Sequence, residues 1–188
     1  MTSPVRYTIQ AIQPAAHLFE VTLSLSDPDP AGQVFSLPAW IPGSYMIREF
    51  AKNIVSLSAR AGGKALAVTK SDKHTWHLPA GVGGPVTLNY TVYAWDLSVR
   101  TAHLDQTHGF FNGTSVFLCA HGHEAAPQWV DIRPPKGLED AGWRVATSLP
   151  EAVGERGAAE RYGFGLYRAE DYAALIDHPV EMGSFSLF

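Results

Sequence analysis

Eight histidines are the residues best suited to chemistry in this sequence, because a neutral imidazole binds metals and carries protons near neutral pH. Two groups have ligand-like spacing. His121-Gly122-His123-Glu124 offers two imidazoles and a carboxylate, and His74-Thr75-Trp76-His77 offers two more. On a strand, His121 and His123 would share a face, whereas His74 and His77 would point to opposite faces. A catalytic zinc needs three ligands in closed geometry plus a base, and no His-Glu-x-x-His occurs in the chain. His121 and His123 lie just before Pro127 and read as solvated loop. No residue is assigned to a metal on this basis. Nucleophilic catalysis fares no better. There is no Gly-x-Ser-x-Gly elbow, and Pro42-Gly43-Ser44-Tyr45 lacks the second glycine. Gly81-Val82-Gly83-Gly84 leads into Pro85 and a strand-like run, not the helix N-terminus that a phosphate loop requires. Cys119, within Val116-Phe117-Leu118-Cys119-Ala120, reads as a buried small hydrophobe. The chain is expected to hold no catalytic residue and no cofactor of its own.

What stands out instead is charge embedded among apolar residues in two segments. One is Trp40 to Ile54, with Tyr45, Arg48 and Glu49; the other is Ala94 to Gly113, with Asp96, Arg100, Asp105 and Asn112. Two readings stay open. Either these groups pair with one another and pin loops to the fold, since buried charges need partners, or they face a neighbouring domain or line a cleft.

The elements that must position these segments are strands. In Pro85 to Trp95 one face reads Val86, Leu88, Tyr90, Val92, Ala94 and the other Thr87, Asn89, Thr91, Tyr93, Trp95, the period of a half-buried strand. The second face turns aromatic, so Tyr93 and Trp95 are expected to meet another layer. Arg6 to Ile12 and Phe19 to Leu25 alternate in the same way. Further strands are expected at Gln33–Trp40, Val55–Arg60, His74–Leu78, Thr114–His121, Gln128–Arg133, Arg144–Ser148 and Arg161–Tyr167. Turn clusters such as Asp27-Pro28-Asp29-Pro30 and Pro134-Pro135-Lys136-Gly137 separate them. Short helices are expected at Gly43–Lys52 and Asp171–Asp177. Many short strands with few helices predict an all-β fold, an antiparallel saddle-like sheet or sandwich with one or two short helices.

The composition narrows the class. The 188 residues are 46% hydrophobic and 17% charged, enough apolar mass for a real core. The net charge of −4 makes nucleic acid a poor partner. A single cysteine excludes an internal disulfide. The first residues lack an apolar signal region and no stretch is long and apolar enough for a membrane span, so a soluble, cytoplasmic protein is expected. Asn112-Gly113-Thr114 then reads as a turn and not a glycosylation site. The alternation beginning at Val180 stops abruptly at Phe188, which suggests that the chain is truncated.

The same two segments carry a family resemblance. Leu37 to Ile54 (LPAWIPGSYMIREFAKNI) resembles the signature of the N-terminal domain of the PDZ-containing glycyl aminopeptidases, a family of zinc metallopeptidases. Ala94 to Asp105, Gly109 to Leu118, Trp143 to Pro150 and Tyr172 to Phe185 resemble further blocks of that domain in the same order. The resemblance implies a β domain over residues 1–176, with 177–188 starting the connection into a catalytic domain beyond this chain. That catalytic domain would hold the zinc and would be followed by a PDZ domain. These domains and, through them, a peptide substrate are the implied partners. In related aminopeptidases a glutamate before the catalytic helix recognises the substrate amine, and Glu181, in His178-Pro179-Val180-Glu181-Met182-Gly183, occupies a comparable place without matching that motif. The alternative is a free-standing β-sandwich module for carbohydrate or peptide, using Trp40, Trp76, Trp95, Trp129 and Trp143 as stacking platforms.

Overall fold

The structure is a computed structural model that describes residues 3–41 and 44–186. Strands in chain order begin with β1 (Val5–Gln13), β2 (Leu18–Leu25), β3 (Val34–Ser36), β4 (Ile54–Ala61) and β5 (Lys64–Leu66). They continue with β6 (Thr69–Lys70), β7 (Thr75–His77), β8 (Val86–Tyr93), β9 (Ala102–Leu104) and β10 (His108–Phe111). After a single helical turn, α1 (Gly113–Val116), come β11 (Cys119–Ala120), β12 (Gln128–Arg133), β13 (Arg144–Thr147) and β14 (Gly165–Ala169). Helix α2 (Tyr172–Asp177) leads into β15 (Val180–Gly183).

These strands form a seven-stranded sheet in the order β14-β12-β1-β2-β8-β4-β5, and two four-stranded sheets, β13-β15-β10-β9 and β11-β3-β7-β6. All pairs are antiparallel except β1 with β12. Period-two burial sets the layers. Val5, Tyr7, Ile9 and Ala11 of β1 join Phe19, Val21, Leu23 and Leu25 of β2 and Val86, Leu88, Tyr90 and Val92 of β8 on the buried face. The sheet β13-β15-β10-β9 packs its apolar side against them. Phe111 of β10 meets Phe19 edge-on at 5.7 Å, and Gly109 comes so close that a Cβ there would lie 3.0–3.2 Å from Met182, Leu104 and Phe19. One continuous cluster of buried side chains links all three sheets, giving the chain its own core.

The all-β reading holds, with several corrections. Of the strand expected at Thr114–His121 only Cys119–Ala120 forms, and the residues before it take other structure. The Asn112 side chain caps α1 by accepting from Thr114 N at 3.1 Å, and the next three carbonyls go to buried tyrosines. Tyr90 donates to Val116 O (2.7 Å), Tyr172 to Phe117 O (2.7 Å) and Tyr7 to Leu118 O (2.8 Å). Side chains thus satisfy a backbone that a sheet ladder would otherwise pair. Asn112-Gly113 is accordingly a helix cap and not a simple turn. Gln33–Trp40 shortens to Val34–Ser36, and Arg161–Tyr167 shifts to Gly165–Ala169 because Arg161 to Gly163 form a turn. In the stretch expected to be helical at Gly43–Lys52, only a 3-10 turn at Phe50–Asn53 forms; Pro42 and Gly43 lie outside the described residues. The run from Val180 is a strand only to Gly183, and Leu187 and Phe188 lie outside the described residues. Helix α2 follows Asp171 as expected, the carboxylate accepting from Ala174 N at 2.7 Å. No helix among the described residues is long and apolar enough to cross a membrane.

Candidate functional site

The outer face of the sheet β13-β15-β10-β9 gathers the chain's convergent polar groups. Register places His103 opposite Phe110, Phe110 opposite Glu181, and Glu181 opposite Ala146. His108, two residues before Phe110, points the same way by strand period. The reverse face of these strands, including Leu104, Phe111, Val180 and Met182, is core.

Aromatic stacking holds this face together. His17, in left-handed backbone between β1 and β2, stacks on Trp95 at 3.9 Å between ring centroids. Trp95 stacks on His103 at 4.8 Å, and His103 lies 4.9 Å from His108. Trp95 thus finds its second layer in two imidazoles, while Tyr93 stays exposed, with its ring edge-on to His17. His17 is anchored in turn at Nδ1, 2.6 Å from Leu104 O.

Asp105 fixes the β9–β10 hairpin. Its Oδ1 accepts from Thr107 N (2.6 Å), Thr107 Oγ1 (2.6 Å) and His108 N (2.9 Å), and its Oδ2 lies 3.3 Å from His103 Nε2. Burial alone would raise this carboxyl, but the hydrogen bonds outweigh it and hold the group well below the usual carboxylate range. Glu181 behaves oppositely. Burial raises its carboxyl, against the smaller pull of His108 and His103. Gly183, opposite His108 with φ 156°, lets the β10 chain approach closely, since a Cβ there would meet His108 Cβ at 3.0 Å and Thr107 O at 3.1 Å.

The embedded charges do not form one network. Glu49 pairs with Lys73 at the surface, and this pair lowers the Glu49 carboxyl. Arg48 pairs with no carboxylate among the described residues, its backbone N–H donating to Ala39 O at 2.6 Å. Asp96 is exposed, Arg100 is half-buried, and Tyr45 is fully exposed. Of the two readings left open, mutual pairing of these charges is not seen among the described residues. What Tyr45, Met46 and Ile47 share with Leu97 and Val99 is exposure: two neighbouring loops present bare apolar side chains, and Met46, Ile47 and Asp96 line one groove between them.

The histidines weighed as ligands stay apart. His121 Nε2 contacts Ser36 Oγ at 2.8 Å, and His77 Nε2 contacts Ser71 Oγ at 2.8 Å. Among the described residues, the one group of three His, Cys, Asp or Glu side chains with converging ligand atoms is His103, Asp105 and His108. Its sequence signal is the spacing His-x-Asp-x-x-His across a tight hairpin, which pairs of histidines separated by one or two residues do not show. Trp76 and Trp143 are buried and Trp129 lies under Arg6, which leaves only Trp40 and Trp95 exposed, so the tryptophans make no open stacking row. Cys119 is buried, its thiol pushed up to about 12 by burial and by Glu124.

Comparison with known proteins places this architecture. No curated protein sequence matches the chain. The structure is similar to that of an aminopeptidase N family protein from Idiomarina loihiensis, with a TM-score of 0.90 and 41% identity. The match covers 98% of this chain and 30% of that one, so the chain spans less than a third of that protein's length. The profile of the Peptidase M61 N-terminal domain matches residues 6–184, and the chain belongs to that family.

Proposed function

We propose that the chain is the non-catalytic N-terminal domain of a zinc-dependent aminopeptidase of the glycyl aminopeptidase type. In this reading it packs on a catalytic domain, shapes one wall of the substrate cleft, and shares the parent protein with a PDZ domain. The zinc ligands and general base belong to the catalytic domain, since this chain lacks His-Glu-x-x-His. The observation that carries the reading is the match over 98% of this chain to only 30% of an aminopeptidase family protein. The bare apolar loops at 45–47 and 97–99 suit a domain interface, because exposed apolar side chains gathered in one place mark a docking surface. Glu181, half-buried on an outward sheet face, suits a substrate ammonium, which it would meet through a charge-assisted hydrogen bond. Hydrolysis of a glycyl-anilide by this chain, with and without added zinc, tests the non-catalytic assignment. No turnover is expected; turnover that survives purification to homogeneity contradicts it.

A further inference from the structure

We propose that His103, Asp105 and His108 form a three-ligand site for a divalent transition-metal ion of the zinc and cobalt class. The three side chains offer ligand atoms that all lie within 4.8 Å of one another. His103 Nε2 is 3.3 Å from Asp105 Oδ2, and His108 Nδ1 is 3.5 Å from Asp105 Oδ1. Bonds of about 2.0–2.1 Å at tetrahedral angles separate neighbouring ligand atoms by about 3.4 Å. Each imidazole therefore stands at about that spacing from one oxygen of the Asp105 carboxylate, and drawing in the three ligand atoms, which lie within 4.8 Å of one another, completes the set.

The site is also built before any ion arrives. His103 is clamped under Trp95 with its side chain 7% exposed. Three hydrogen bonds from Thr107 and His108 fix the Asp105 carboxylate. Gly183 leaves room for the close approach of the chain at Thr107 and His108. Ligands held this way lose little freedom on binding. Charge favours a cation, because Glu181, opposite Phe110, adds a second carboxylate to the sheet face that carries His103 and His108. Two imidazoles and one carboxylate select zinc, cobalt or nickel over magnesium and calcium, which prefer all-oxygen shells. His108 is part-exposed, so solvent or a group from outside the chain fills the remaining position.

One feature of the ligand set limits its strength. His103 Nδ1 is enclosed without a hydrogen-bond partner, whereas metal-bound imidazoles ordinarily donate that N–H to an acceptor. Lacking that acceptor weakens binding on the order of 10–100-fold relative to a fully supported site. The site is thus one of moderate affinity that exchanges its ion.

The test uses the tag-free chain, stripped with a chelator and titrated with cobalt chloride while visible absorption is followed. Binding to the chain is read directly, so the result does not depend on the peptidase reading. The proposal expects a saturable band of low-coordinate cobalt that zinc displaces and magnesium does not. Asp105→Asn keeps an oxygen to accept from Thr107 and His108 but removes the charge, and it is expected to weaken binding more than about 10-fold. His108→Gln, at a part-exposed position, is expected to do the same with an unchanged far-ultraviolet spectrum, and it serves alone should Asp105→Asn fail to fold. His121→Gln is expected to have no effect. Absence of a saturable band, or equal cobalt affinity in folded His108→Gln, overturns the proposal.

Discussion

The hydroxyl of Tyr90, on inner strand β8, donates to Val116 O at 2.7 Å and also accepts from Leu118 N at 3.1 Å. One buried side chain thus closes both ends of the irregular passage from α1 toward β11. Burial raises this phenol well above its ordinary range, so it stays neutral and able to donate. Tyr90→Phe leaves a carbonyl and an N–H enclosed without partners, which costs about 1–3 kcal/mol per group. Urea denaturation is expected to show a loss of that order with little change in slope. An unchanged midpoint would mean that other groups satisfy this backbone.

Cys119 offers a chemical readout of the same core. Its thiol is buried and pushed up to about 12, so almost no thiolate exists at pH 8. The native chain is expected to resist iodoacetamide at pH 8 and to react fully once unfolded in urea. Mass spectrometry before and after denaturation checks both.

Glu181 predicts a pH dependence. Its carboxyl is raised in the folded chain, so the folded state holds that proton longer than the unfolded state does, whose carboxyl titrates near about 4.3. The stabilising contribution is complete below that value and is lost as pH rises through the folded one. The groups facing it are His108 and His103, whose pull is smaller than the effect of burial. Glu181→Gln is therefore expected to gain on the parent chain between about pH 4 and pH 7, in thermal melts run with chelator present. A constant difference across that range would contradict the burial of this carboxylate.

How far the sequence carried differs from element to element, for physical reasons. β1, β2, β8 and β12 were legible because each buries one face and wets the other, the pattern that period-two reading detects. Most of Thr114–His121 departs from a strand because the hydroxyls of Tyr7 and Tyr172 take carbonyls that a ladder would pair, long-range partners that no local window contains. β9 and β10 were missed because their outward residues, His103 and Phe110, are covered by Trp95 or share a face with Glu181 and so do not alternate polar with apolar. At the site, the sequence points to both Glu181 and Asp105, but its segments group Asp105 with Arg48 and Glu49. Its true partners, His103 and His108, are its neighbours in the same hairpin.

The exposed loops predict a division between stability and assembly. Ile47→Asp and Leu97→Asp replace side chains with no burial to lose, so the chain alone is expected to change by no more than about 0.5 kcal/mol. In the full-length protein the same changes place a charge in the proposed interface. Limited proteolysis is expected to release the N-terminal domain faster in those variants. Equal rates would place the interface elsewhere.

The most direct measurement is the steady-state kinetics of the full-length protein carrying Glu181→Gln, with Glu20→Gln as control, on a glycyl peptide with a free amine. If this domain forms the wall that meets the substrate ammonium, kcat/KM falls by at least about 10-fold in Glu181→Gln, mostly through KM, and is unchanged in the control. Equal kcat/KM in Glu181→Gln and the parent would contradict that placement of the cleft wall.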